Sequence, residues 1–273
     1  MLSCSLSNAT IKYETLGEGS PLIVLHGAGP IDHQYMMYDF EPLFRQRSGW
    51  RRIYIDLPGH GQTLWPEWVS SPDQIIDLLC EFIDHTIPDR PFTLAGLSWG
   101  GALSLGILNR RAEMVEGIFL SVPAVIMDRS KRTLPDQINL IQDPEFVAEL
   151  QEDEKWITEY LVVQDSTFLN RLREQIFSVD RKNAKLGVDL DLRQAQFSYN
   201  ADQIYFDKPT LILSGRQDRA VGYKDSWDLL ENFPRATYAV LDRAGHFLSI
   251  EQRTLMQALI NEWLNRVEEY RSK

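Results

Sequence analysis

The chain has 273 residues, 44% of them hydrophobic and 25% charged, with a formal net charge of −11. That length suits one large α/β domain, or one domain with an insertion, and the composition argues against disorder. The acidic balance and the lack of any basic run argue against a nucleic-acid partner.

The opening stretch MLSCSLSNATIKYE has neither a basic segment nor a long apolar one, so no signal peptide is expected. No run approaches the roughly 18 apolar residues of a membrane span, and no membrane partner is expected. ATIKYETLG (9–17) alternates polar and apolar residues and suits an antiparallel strand near a sheet edge. PLIVLHG (21–27) reads as a buried strand. RRIYIDLPG (51–59) is the next, followed by a helical pattern over 72–87 in which Cys80 is core packing. FTLAGLS (92–98) leads into a helix over 101–109. VEGIFLSVP (115–123), PTLILSG (209–215) and ATYAVLD (236–242) complete the strands, and a helix over 251–270 ends the chain. Apolar runs of this length, alternating with helices, predict a mostly parallel central sheet covered on both faces. Cys4 and Cys80 are the only cysteines. They suggest neither a metal cluster nor a disulfide framework, which fits a reducing cytoplasm.

The alternation breaks between about 123 and 208, where charged helical patterns carry Trp156, Tyr160, Phe168, Phe177, Phe197 and Tyr199. So many aromatic side chains do not suit a solvated surface. The segment reads as a mainly helical insertion between two strands.

One serine stands at the end of a buried strand in Gly96-Leu97-Ser98-Trp99-Gly100. Strand, sharp turn and helix in that order can hold a hydroxyl in a strained, exposed conformation, and flanking glycines let strand and helix approach closely. The helix that follows aims its first N–H groups at the turn, where negative charge is favoured. A serine hydroxyl needs a base. Of the five histidines, His85 reads as surface, His60 as a turn residue, His33 as part of a polar loop and His26 as a brace at a strand end. His246, in Asp242-Arg243-Ala244-Gly245-His246, follows the last strand at the sheet edge where ligand sites of parallel sheets gather. It is the candidate base. Asp218, in Ser214-Gly215-Arg216-Gln217-Asp218, lies on the same edge and is the candidate to orient it, with Asp225 and Asp242 as rivals. An oxyanion hole is expected from the backbone N–H groups of Ala28, or less favourably Gly29, and Trp99.

In HGAGP, DLPGHGQ, GLSWGG, SGRQD and AGH the chain resembles the α/β-hydrolase fold superfamily. The resemblance covers the sheet on both sides of the insertion. It implies a hydrolase core over 1–122 and 208–273, with 123–207 as a helical cap inserted after the sixth strand of the fold. It also implies a Ser98–Asp218–His246 mechanism with no metal and no organic cofactor. Trp99 is bulkier than the residue usual after such a serine. HGAGP is similar to carbon–carbon bond hydrolases and to proline iminopeptidases, but Ile31-Asp32-His33 lacks the glycine-rich continuation of the former. An aminopeptidase would need cap carboxylates, for which Glu152, Asp153 and Glu154 are available, although such a run is commonly a solvated face. The expectation is a serine hydrolase of a small, largely apolar ester or related acyl compound, with Trp99 closing one side of its pocket. Carbon–carbon hydrolysis, aminopeptidase activity and a non-catalytic small-molecule receptor are the alternatives.

Overall fold

The computed structural model describes residues 1–136, 138–177 and 196–273. Its centre is an eight-stranded sheet in the order β1-β2-β4-β3-β5-β6-β9-β10. Strands β3 (Ser20–Leu25), β4 (Trp50–Ile55), β5 (Phe92–Leu97), β6 (Val115–Ser121), β9 (Thr210–Gly215) and β10 (Ala236–Leu241) run parallel to one another. Their unbroken apolar runs fit burial on both faces: every residue of β5 and β9 is buried. β2 (Thr10–Leu16) pairs antiparallel with β4, and β1 (Leu2–Ser5) extends the antiparallel edge. β1 was not among the strands expected, because four residues beside Met1 are too few to show a period. With it, Val115–Ser121 becomes the sixth strand.

Helix α1 (His33–Phe44) also escaped the sequence reading, which put His33 in a polar loop. Asp32 caps it by accepting from the Gln34 N–H at 2.8 Å, and Tyr35, Met36, Phe40 and Phe44 are buried. Helix α2 (Pro72–Thr86) starts on a reciprocal cap between Ser71 and Gln74, with Pro72 where a missing N–H costs nothing. Helix α3 (Trp99–Arg111) packs against α2 and β5. On the other face, α1 packs on the closing helix, which the break at Gln252 divides into Leu248–Glu251 and Arg253–Arg271.

Between β6 and β9 the chain leaves the sheet. Its described parts are short helical turns such as Pro144–Glu149, Lys155–Glu159 and Leu169–Leu172. One feature was not anticipated there: β7 (Ile141–Gln142) and β8 (Val163–Gln164) form a two-residue parallel pairing. No helix among the described residues is long and apolar enough to cross a membrane.

Because β3, β5, β9 and β10 are parallel, the loops after them leave from one sheet edge. That edge carries His26 to Pro30, Ser98, Asp218 and His246.

Candidate active site

Ser98 sits between β5 and α3 with φ +52° and ψ −112°, a conformation that L residues rarely adopt. Its own backbone holds it there. The Ser98 N–H donates to the Ser121 carbonyl at 2.9 Å, and its carbonyl accepts from Gly101, Ala102 and Ala124. The glycines are steric necessities. A Cβ at Gly100 would lie 2.3 Å from the His26 carbonyl oxygen, and one at Gly96 would lie 2.4 Å from the Gly100 oxygen. A side chain at either position would push the helix off the sheet and move the serine.

His246 faces Ser98, with Nε2 3.0 Å from the serine Oγ. Its Nδ1 lies 2.9 Å from Oδ2 of Asp218, which is completely buried. If Nδ1–H donates to that carboxylate, Nε2 is left as the acceptor for the serine proton. The second Asp218 oxygen accepts from the Ala220 and Val221 N–H groups at 2.8 and 3.1 Å, so the carboxylate is anchored from both sides. The rival acids lie elsewhere. Asp225 accepts from the Thr133 N–H, and Asp242 is exposed.

The other histidines are structural or peripheral. His26 is fully buried, its Nδ1 2.7 Å from the Gly27 carbonyl and its Nε2 accepting from the Leu57 N–H. Burial and the neighbouring His60 pull its pKa down to about 3, so it is a neutral brace. His33 is the first residue of α1, and its Nδ1 lies 2.7 Å from Asp56. Burial works against the charge on His33, but Asp56 outweighs it and raises the pKa. His85 is exposed. Asp32, His33 and Asp56 cluster closely, yet their bonds are internal: Asp32 caps α1, and Asp56 accepts from His33 and from the Gln62 N–H. The cluster ties α1 to the loop after β4.

Ser98 and His246 line a cavity of about 330 Å³. Ala28, Gly29 and Trp99, the residues expected to supply the oxyanion hole, line it too. Gly29 has φ +104°, which suits glycine alone. Trp99 is the first residue of α3, where an N–H has no acceptor within the helix. Its ring is buried and stacks on Phe197 with centroids 5.5 Å apart. Trp156 and Tyr160 reach the cavity from the inserted segment. Phe177 packs on Trp156, and Tyr199 donates to the Ala102 carbonyl at 2.6 Å. Glu152 pairs with Lys155, and Glu154 accepts from the Gln151 N–H. Neither these two nor Asp153 lines the cavity.

Two features were missed by sequence reasoning. Arg129 and Arg132 line the cavity, so its wall is less apolar than expected. The second is Glu251, a buried carboxylate that binds two regions at once. One oxygen accepts from the Val162 and Val163 N–H groups at 2.7 and 2.9 Å, the other from the Gly245 N–H at 2.6 Å. Burial pushes its pKa up to about 7, although all three N–H bonds favour the ionised form. Glu251 thus ties the inserted segment to the loop that presents His246. A carboxylate five residues after a histidine had no pattern to mark it.

The chain resembles known proteins along nearly its whole length. A crystal structure of an alpha/beta superfamily hydrolase from Oenococcus oeni PSU-1 superposes with a TM-score of 0.87 at 28% identity, covering 98% of this chain and 100% of that one. A pimeloyl-[acyl-carrier protein] methyl ester esterase of Legionella pneumophila (strain Corby) is 24% identical over 259 residues, 93% of this chain and 99% of the relative. A 2-hydroxy-6-oxo-6-(2'-aminophenyl)hexa-2,4-dienoic acid hydrolase of Metapseudomonas resinovorans is 24% identical over 243 residues, 88% and 82% of the two chains. Residues 22–256 match the Alpha/beta hydrolase family, a span that takes in the strained serine turn and both of its partners. The chain belongs to the alpha/beta hydrolase family.

Proposed function

We propose that the protein is a serine hydrolase that cleaves a small acyl ester through an acyl-enzyme intermediate. The observation that carries this reading is the hydrogen-bonded line from Asp218 through His246 to the strained Ser98 at the cavity wall. Ser98 Oγ attacks the ester carbonyl while Nε2 of His246 takes its proton. Asp218 holds the ring and stabilises the imidazolium. The carbonyl oxygen becomes an oxyanion facing the N–H groups of Trp99 and Ala28, with Gly29 as the alternative to Ala28. The C–O bond breaks, and the departing alkoxide takes the proton from His246. Water then attacks the acyl-serine by the same route, releasing the acid and restoring the Ser98 hydroxyl. No step calls for a metal or an organic cofactor.

Residues 123–207 act as a cap in this proposal, placing Trp156 and Tyr160 over the acyl group, with residues 1–122 and 208–273 as the core. The esterase among the relatives supports ester cleavage. Carbon–carbon bond cleavage with the same three residues is the second reading, supported by the dienoic acid hydrolase. The aminopeptidase reading draws no support from Glu152, Asp153 and Glu154, none of which is among the described residues lining the cavity. A non-catalytic receptor would not need a nucleophile, base and acid in register.

Labelling with a fluorophosphonate, followed by turnover of neutral p-nitrophenyl esters of rising acyl length, tests the proposal. Ser98→Ala should abolish labelling and lower kcat/KM by roughly 10⁴-fold or more. Near-normal turnover by that variant would rule out the serine mechanism.

A further inference from the structure

The whole chain carries a formal charge of −11, yet the charged side chains among the described residues lining its cavity are cationic. Apart from His246, the only titratable side chains with a charge among the described residues lining it are Arg129 and Arg132, and no carboxylate is among those described residues. The two arginines differ in what they do. Arg132 is half-buried and committed to the fold: its Nε, Nη1 and Nη2 donate to the carbonyls of Ile126, Ala220 and Met127 at 2.7, 2.7 and 3.0 Å. It joins the chain after β6 to the loop that follows Asp218. Burial, and next the charge of Arg129, lower its pKa, while the charges of Asp218, Asp225 and Asp128 oppose them.

Arg129 is exposed at the mouth; its carbonyl accepts from the Arg132 N–H at 3.3 Å, but its guanidinium has no hydrogen bond or ion pair with another described residue. Asp128, Asp218 and Asp225 act through their charge on Arg132, but none pairs with the Arg129 side chain. Asp128 accepts from Ser130 and pairs with Lys131, Asp225 accepts from the Thr133 N–H, and Asp218 serves His246. The Arg129 guanidinium, without a partner among the described residues, and the fixed Arg132 put two cationic groups in the cavity wall. Such a wall favours an anionic group and disfavours a cationic one. Guanidinium groups match carboxylates through paired, charge-assisted hydrogen bonds. A cavity of about 330 Å³ is at the small end of ligand pockets, so an anion held at Arg129 and an ester carbonyl at Ser98 must belong to one short molecule.

We infer that Arg129 is a specificity residue for a carboxylate carried by the substrate, and that the preferred substrate is a short half-ester of a dicarboxylic acid, with its ester at Ser98 and its free carboxylate at Arg129. This rests on the hydrolase reading above and narrows its substrate from an apolar acyl group to one with an anionic end. Arg132 provides a fixed positive background, while Arg129 makes the paired contact.

The test compares monomethyl glutarate with dimethyl glutarate, which differ in charge at one end, on the wild-type protein and on Arg129→Glu. Arg129 is exposed and its side chain bonds to no described residue, so the substitution removes no side-chain hydrogen bond or ion pair among the described residues. The wild type should prefer the half-ester, and reversal of the charge should lower the half-ester to diester ratio of kcat/KM by roughly 10- to 100-fold, chiefly through KM for the half-ester. Raising the salt concentration should reduce the wild-type preference. A ratio that Arg129→Glu leaves unchanged would overturn the inference. Free glutarate should inhibit competitively; inhibition by inorganic phosphate but not by glutarate would overturn the carboxylate assignment. Hydrolysis of the diester together with fluorophosphonate labelling separates the two levels. If both are present and the half-ester is not preferred, the specificity inference alone fails; if both are absent, the hydrolase reading fails with it.

Discussion

The sheet edge and the segment inserted between β6 and β9 build the two sides of the cavity by different means. On the sheet side, position comes from backbone: Ser98 is held by four main-chain hydrogen bonds, and α3 approaches β3 where only glycine fits. On the inserted side, position comes from side chains packed on one another, such as Trp156 against Tyr160, Phe177 and Phe247. Where backbone sets the geometry, one added methyl group is decisive. Where side chains set it, the cavity wall can be re-shaped while the sheet stays intact. The two sides meet at a seam. Glu251 joins Gly245 to Val162 and Val163, Arg171 donates to the Ile250 carbonyl, and a Cβ at Gly245 would lie 2.3 Å from the Tyr160 carbonyl oxygen.

The contrast can be broken hardest at the sheet edge. Asp218→Asn keeps the shape of the side chain but removes the charge that orients His246. Ester turnover should fall roughly 10²- to 10⁴-fold, with fluorophosphonate labelling slowed in step. Full activity in this variant would show that Asp218 is not the acid partner. Gly100→Ala comes next. Its Cβ meets backbone rather than a movable side chain, so denaturant unfolding should show a loss of about 1–3 kcal/mol or more, with turnover reduced as Ser98 shifts. An unchanged midpoint would mean that α3 can slide away from β3 at no cost.

Glu251→Gln probes the seam. The amide can still accept from Val162 and Val163 through its oxygen, but its NH₂ cannot accept from the Gly245 N–H. A stability loss of about 1–3 kcal/mol is expected, together with a lower kcat as the His246 loop slackens. A fall in stability with kcat intact would restrict Glu251 to a structural part.

The smallest effect concerns pH. Asp39 on α1 is fully buried beside the seam and faces Arg253, Ser249, Tyr35 and Arg171. Burial pushes its pKa up to about 7, against the opposing pull of Arg253. The folded state therefore holds this proton more tightly than the unfolded chain does, whose carboxyl titrates near 3.8. The stability this group contributes is fully present below the unfolded value and is lost as pH rises towards 7. Glu251, raised to about 7 as well, adds a slope of the same sign. In Asp39→Asn the fall in unfolding free energy between pH 4 and pH 7 should be shallower than in the wild type, measured by urea titration at several pH values. An identical slope would show that Asp39 stays ionised throughout.

Much of the sheet was legible in the residues. Runs such as PLIVLHG and PTLILSG are apolar because a parallel strand is covered on both faces, and that requirement is local. The order Ser98, Asp218, His246, each just after a strand, was enough to anticipate their meeting, since parallel strands deliver those loops to one edge. β1 was too short to show a period. α1 was obscured by the polar residues at its start, although Asp32 ahead of Tyr35, Met36 and Phe40 was a usable signal.

The chain by itself therefore determined the order of the parallel strands, the strained serine and the residues that face it, because each follows from periodicity, glycine placement and position at a strand end. Only the tertiary structure decided the rest. Glu251 matters because Val162, Val163 and Gly245, distant or unremarkable in sequence, turn their N–H groups toward it. Arg129 enters the proposal because its guanidinium reaches the cavity wall with no partner among the described residues. Both are relations between groups brought together by packing, and a linear pattern carries no record of which partners are already taken.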